Sequence, residues 1–555
     1  MRIIPQVLTA LFIVLWTLFV FLDYWQKHPS YYLSFTYYQY WGLGLVLLSI
    51  GAAVSWLGMK FGQDKQRKFF FNGLSVTALF LLVSMVSVGA AFNALVPSAS
   101  FNAVRGVKVL LQVGGTAMAV YLVTIASYVL GSLINEFLKV KLSAAMDASL
   151  AAIATGMMGL VLGCFLLGTV SLLHGFVLYP CLIVLFFFGR KKALGFLKAT
   201  LWQPLATDRQ LNWVGLGSFY LLVVLLSINF TAVNVPMPAG FDSLTVYANI
   251  PSLIGGRHGL VEGYQPYNWS ILMSLGYVLF GSTAVSLALS NLGGVLAAFA
   301  MYALCRNWLR LDANYSLLAV LVFSLTPSVT IQSSAELKID LGLLFISLSI
   351  LLVLLHFLKY SAGEEGGTAP KPVPAKAAAA KKGQAAPTGY AGNIFQASPA
   401  IVWMGLMSGF ALGIKLTTIY FALALLVALW YGYHGKRGFW AMFLASLFLV
   451  LLVKLDDFGG LRQFHLGADV LQWGLLAAAL LLFLGAFLSN RPHFQQSIKL
   501  SIVYGMFALF TFVPWAAKNY WETRSLSPAA LMNGKSAAPA INLQTLENNM
   551  PNNGN

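Results

Sequence analysis

Charge is what this sequence has least of. Asp, Glu, Lys and Arg together make up 9% of its 555 residues, against about 25% in soluble domains. With 59% hydrophobic residues and a mean hydropathy of +0.77, that scarcity excludes a soluble globular chain. Cysteine is nearly absent too. Cys164, Cys181 and Cys305 fall in or beside apolar runs without a CxxC pair, which excludes a disulfide framework. The seven histidines show no HxxxH or His/carboxylate spacing, which argues against a dedicated zinc site. There is no P-loop and no GxGxxG after a strand. The alternation of a membrane barrel is missing, so the spans are helical. No repeat occurs at solenoid or inverted-transporter periods.

What is present is a long series of apolar runs, each able to cross about 30 Å of hydrocarbon as a helix. The expected fold is an all-α polytopic membrane protein of about fifteen transmembrane helices. They are placed near 5–23, 41–59, 70–93, 109–132, 149–170, 172–189 and 212–232. After a long loop come 284–304, 315–331, 340–358, 400–414, 417–434, 438–453, 468–488 and 498–516. The opening MRIIPQVLTALFIVLWTLFVFLDYW lacks a small-residue cleavage site and reads as a first span.

The net charge of +17 does not point to nucleic acid. With the N-terminus inside, about two thirds of the 34 Lys and Arg fall in alternate, cytoplasmic loops, among them KFGQDKQRK, GRKKALGFLK and RNWLR. Residues 361–398 are rich in Ala, Lys, Pro and Gly and read as a flexible cytoplasmic linker. The polar tail 526–555 falls outside. In the loop 233–283, the run WSILMSLGYVLFG (269–281) would reach only about 20 Å as a helix. It reads as an amphipathic juxtamembrane helix lying at or dipping into the outer interface.

The same parity gathers ionisable residues from separate stretches onto the outer face. Asp242, Arg257, His258 and Glu262 lie in the long loop. Glu336, Lys338 and Asp340 head one span, Lys415 lies in GIKLTT, and Lys518 follows FVPW. Such residues at helix ends are also ordinary interfacial polar groups, and for Asp456 and Asp457 in KLDDFGGLR that solvated reading is preferred. The aromatic run SYYLSFTYYQYW (30–41) reads first as an interfacial belt.

Four elements, in order, resemble a known family. They are Phe-Asp-Ser-Leu-Thr-Val-Tyr (241–247), AELKIDLGLLFISLSIL, GLMSGFALGIKLTTIYFALALL and FVPWAAKNYWETRS. Together they resemble the GT-C membrane glycosyltransferases, particularly bacterial relatives of protein O-mannosyltransferases and lipid A aminoarabinose transferases. The resemblance covers about 212–525 and leaves 1–211 as an N-terminal multi-span extension of about six helices. It implies a GT-C core in the bacterial inner membrane with its active face outside. There a sugar would pass from a polyprenyl-phosphate donor to a lipid, glycan or protein acceptor. Asp242 would be the catalytic base. Lys415 and Lys518, with Arg257 as a third cation, would meet the lipid phosphate. Asp340 would orient a lysine or contact sugar hydroxyls, and Tyr247, His258, Glu262 and Tyr264 would line the donor or acceptor groove. Some family members need a divalent cation, which Glu262 could help to hold. Partners implied are membrane lipids, the lipid-linked donor and a membrane protein docked through 1–211. The alternatives are a transporter or flippase of lipid-linked substrate, or a non-catalytic membrane subunit. Tyr247-Ala248, standing where many relatives have Tyr-His, keeps the last in view.

Overall fold

A computed structural model describes residues 73–95, 103–202, 211–234, 246–262, 266–334, 338–361, 399–452 and 468–524. These residues form a helical bundle, with no strand among them. Among the described residues, seven helices are long and apolar enough to cross a membrane, or eight if one bent pair counts as a single span. Five shorter apolar helices accompany them. The spans expected near 5–23 and 41–59 and the linker 361–398 lie outside the described residues, the linker all but its first.

In chain order, α1 (Gly73–Leu95), α2 (Ala103–Phe137), α3 (Ala145–Thr169), α4 (Gly175–Phe188) and α5 (Arg190–Leu197) come first. The next are α6 (Trp213–Val233), α7 (Asn249–Arg257), α8 (Asn268–Phe280) and α9 (Thr283–Ala303), whose last turn widens over Leu304–Trp308. Then come α10 (Ala313–Leu325), α11 (Pro327–Ser334), α12 (Asp340–Ser361) and α13 (Pro399–Leu412). The described chain closes with α14 (Ile419–Leu452), α15 (Ala468–Ser489) and α16 (Arg491–Thr523). Polar side chains set several starts. Asn212, Ser282, Asp312 and Asn490 each accept from backbone N–H groups of the first turn of the helix they precede.

One expected span is bent, and two expected spans meet at a break, each for a visible reason. The run 315–331 bends by 69° between α10 and α11, where Pro327 offers no N–H and disfavours helix at Thr326. The runs 417–434 and 438–453 are the two arms of α14, separated at Gly435, whose φ of 58° and ψ of −141° leave the helical region. Glycine reaches that conformation without a Cβ clash.

With no hydrophobic force between helices in lipid, close backbone approach supplies the packing. A Cβ on Gly156 of α3 would sit 1.6 Å from the Ser127 carbonyl oxygen of α2. The helix α3 is therefore no peripheral appendage. Its Thr155 hydroxyl accepts from Trp403 Nε1 of α13 at 2.6 Å and donates to Asn135 of α2 at 2.9 Å.

One expectation needs correction. The helix α8 is not an amphipathic element with one face left open. Residues Asn268–Gly276 are all buried, enclosed by α3, α4, α7 and α9. An apolar helix too short to span keeps its backbone bonds internal, and it is stable here because protein rather than lipid or water surrounds it.

The bundle has two chemically distinct ends. Lys192 pairs with Glu136, which brings α5 to the end of α2 that also carries Lys139 and Lys141. The ends of α9 and α12 add Arg306 and Lys359, and the α14 break adds Lys436 and Arg437. At the opposite end, Leu260 N donates to the Gly168 carbonyl at the close of α3, and Asn268 N donates to the Gly413 carbonyl. Asp340, Lys415 and Lys518 are at that end.

Candidate functional site

The three sequence elements at 268–269, 413–415 and 515–518 meet through one polar lock. Asn268, fully buried at the start of α8, accepts from Trp515 Nε1 at 2.7 Å and donates to the Phe410 carbonyl at 2.8 Å. Its backbone N–H reaches the Gly413 carbonyl at 2.8 Å. Every polar group of this buried contact has a partner, the condition under which such a network specifies one geometry. Glycine at 413 is required by that approach, because a Cβ there would lie 2.1 Å from Asn268 Nδ2 and 2.9 Å from Trp515 Nε1. Gly413→Ala is therefore expected to cost about 1–3 kcal/mol through overpacking. Thermal unfolding of the purified protein checks this, and an unchanged midpoint would disprove the lock.

Two residues beyond Gly413, Lys415 Nζ lies 2.7 Å from Asp340 Oδ1. Asp340 opens α12, and the turn presenting Lys415 is tied down by Thr418, whose hydroxyl donates to the Lys415 carbonyl at 2.6 Å. Trp269 holds α12 in register from behind. Its buried ring lies so close that a Cβ on Gly342 would come within 2.4 Å of it. The Trp269 Nε1 donor has no hydrogen-bond partner among the described residues. The Lys415 and Asp340 side chains are 41% and 30% exposed. An ion pair so wet contributes about 0–1 kcal/mol, so an incoming anion can compete for the lysine.

Lys518 is in a different state. Its Nζ is 2.6 Å from Glu522 one turn later, both side chains being largely buried. It also lies 5.7 Å from the centre of the Tyr267 ring and 5.8 Å from that of Trp515, within cation–π range. Tyr267 in turn pins the loop. Its hydroxyl accepts from Val261 N and donates to the Val261 carbonyl, both at 2.8 Å. Burial pushes the Tyr267 phenol far above its ordinary value, so it stays protonated and keeps that donation. Glu262, the exposed neighbour of Val261, is near enough for its charge to act on Lys518.

The structure thus joins Asp340 to Lys415, and brings Glu262 within electrostatic range of Lys518, around the Asn268 lock. His258 is placed elsewhere in the loop. It ends α7 with a left-handed φ of 56°, stacks on His174 with ring centres 3.7 Å apart, and lies 3.2 Å through Nδ1 from the Leu173 carbonyl. Its contacts fasten the loop to the α3–α4 turn rather than line a groove. Arg257 is exposed and Tyr247 half-buried against the core. Asp242, Tyr264, Glu336, Asp456 and Asp457 lie outside the described residues. Among the described residues no three His, Cys, Asp or Glu side chains approach closely enough to hold a metal ion.

Sequence reasoning missed Asn268, Trp515 and Glu522 as partners. Glu522 carries a legible signal, since Lys518 and Glu522 stand four residues apart in KNYWE, the spacing of a helical ion pair. Asn268 carries none, because a single Asn before an apolar run looks like any helix start. No known family model, curated protein or solved structure matches this chain.

Proposed function

We propose that this chain transfers a sugar from a polyprenyl-phosphate donor to an acceptor at the end of the bundle that carries Asp340 and Lys415. The observation that supports the reading is the Asn268 lock. It sets Asn268, near the end of the long loop, against the Gly-Ile-Lys turn and the Pro-Trp element, two of the stretches that resemble GT-C motifs. In that reading the leaving group is a lipid phosphate, and Lys415 stabilises its developing negative charge. Asp340 aims the lysine until phosphate displaces it. Lys518, already neutralised by Glu522, contributes less charge and instead holds the Tyr267–Trp515 wall. Asp242, from the loop element Phe241–Tyr247, takes the proton of the acceptor hydroxyl as the new glycosidic bond forms. In this reading the active end faces outward, which the excess of Lys and Arg at the other end supports.

Purified protein in nanodiscs, given a polyprenyl-phosphate sugar, tests this directly. Lys415→Ala is expected to lower turnover by about 10²-fold and to weaken donor binding, because phosphate is present in both ground and transition states. Lys415→Arg should recover part of both. Donor that crosses the bilayer without losing its sugar would mean a flippase. Lys415→Ala at full activity would remove the proposed phosphate contact.

A further inference from the structure

The opposite end of the bundle holds a second polar constellation that the transferase reading does not use. Where the α2–α3 turn meets the ends of α9 and α12, a cavity of about 400 Å³ is lined by Ser143, Arg306, Asn307, Trp308, His356 and Lys359. That is within the range of about 300–1,000 Å³ common for small-ligand sites.

The floor of this cavity is built. Asp147, in the first turn of α3, has a side chain with no exposure. It accepts from Asn307 Nδ2 at 2.7 Å and from Trp308 Nε1 at 3.2 Å. His356 Nε2 lies 2.8 Å from Oδ2, the oxygen that Trp308 also reaches, and Ser143 Oγ is 3.4 Å from His356 Nδ1. The buried carboxylate thus fixes the rotamers of three residues that line the cavity. Arg306 is steadied by donating from Nη1 to the Leu311 carbonyl at 2.9 Å. Lys359 Nζ lies 6.0 Å from the Trp308 ring centre.

We infer that this cavity binds a phosphate group, either the headgroup of an anionic phospholipid or a free phosphate. Two cations from different helices flank the opening, and a guanidinium suits phosphate oxygens through paired N–H donors. A serine hydroxyl and an imidazole nitrogen face the same space. Basic pockets between helices at this kind of membrane end recognise anionic headgroups, and the surrounding Lys139, Lys141, Arg190 and Lys191 draw such lipids toward it.

The test uses the full chain in nanodiscs of phosphatidylethanolamine with phosphatidylglycerol, followed by delipidation and native mass spectrometry. Wild type should retain one phosphatidylglycerol per chain. Arg306→Gln/Lys359→Gln should hold it about ten-fold more weakly or worse. Ser143→Trp fills the mouth from an exposed position while keeping every charge, and it should lose the lipid equally. In a neutral detergent, inorganic phosphate should raise the unfolding temperature of wild type and of neither variant if the free anion is the ligand. Equal lipid retention by all three proteins, together with no phosphate effect on wild type, would overturn the inference. Lipid lost from the charge variant but kept by Ser143→Trp would overturn it as well, since diffuse surface charge would then be responsible. Unfolding without ligand verifies that each variant is folded, and Arg306→Lys/Lys359→Arg, which keeps both charges, should retain the lipid.

Discussion

Asp147→Ala is expected to destabilise the protein by about 2–4 kcal/mol, because it removes the buried acceptor that three donors share. The substitution strands three donors at once. Asn307 Nδ2, Trp308 Nε1 and the His356 ring would face an apolar methyl where an acceptor stood at 2.7, 3.2 and 2.8 Å. Of the three, His356 is buried, Trp308 half-buried and Asn307 exposed, so only the His356 donor carries the full cost of about 1–3 kcal/mol of an unsatisfied buried group. Asp147 also sits in the first turn of α3, where the helix dipole favours a negative charge. Asp147→Asn keeps the shape but presents an N–H₂ to donors, so it should lie between wild type and alanine. Thermal or denaturant unfolding in detergent reads the difference, and an Asp147→Ala protein as stable as wild type would refute the network. A cycle with His356→Ala should return a coupling of about 0.5–3 kcal/mol, as neighbours in one network do.

Asp242→Asn is expected to lower sugar transfer by about two to four powers of ten, with expression and donor binding preserved. Asparagine matches aspartate in size and polarity but cannot accept the acceptor's proton. Loss confined to turnover separates Asp242 from Lys415, whose removal should also weaken donor binding. The prediction rests on the loop element Phe241–Tyr247 together with the proposed function. Full activity of purified Asp242→Asn with its true donor and acceptor would reduce the carboxylate to a solvated group at a wet boundary.

Some of the architecture needed only local information. Helix positions followed from apolar length, because backbone in hydrocarbon must satisfy its own hydrogen bonds. Thus α3, α6, α9 and α12 lie within a few residues of the expected runs. The grouping of Asp340, Lys415 and Lys518 at one end followed from counting spans and basic loops, which needs no knowledge of packing. The break of α14 was visible as GKR between two apolar runs, and the bend before Pro327 had its proline in plain sight.

The tertiary structure alone decided what those ends do. A helix of α8's length and apolarity fits an interface and an interior equally well. Whether it is surrounded by lipid or by protein depends on neighbours distant in the chain. The pairing of Lys415 with Asp340 is likewise a matter of which turn Asn268 clamps. The Asp147 network escaped sequence reading completely. One acid at a helix start has the helix dipole as sufficient explanation, and its partners stand 160, 161 and 209 residues away. Sequence by itself determined that the chain crosses a membrane as helices and which end of each helix carries charge, because both follow from the solvent the chain must enter. Which charges meet depends on how close the helices come. That is set by small residues such as Gly156 and Gly413, and by single hydrogen bonds whose partners only the folded bundle brings together.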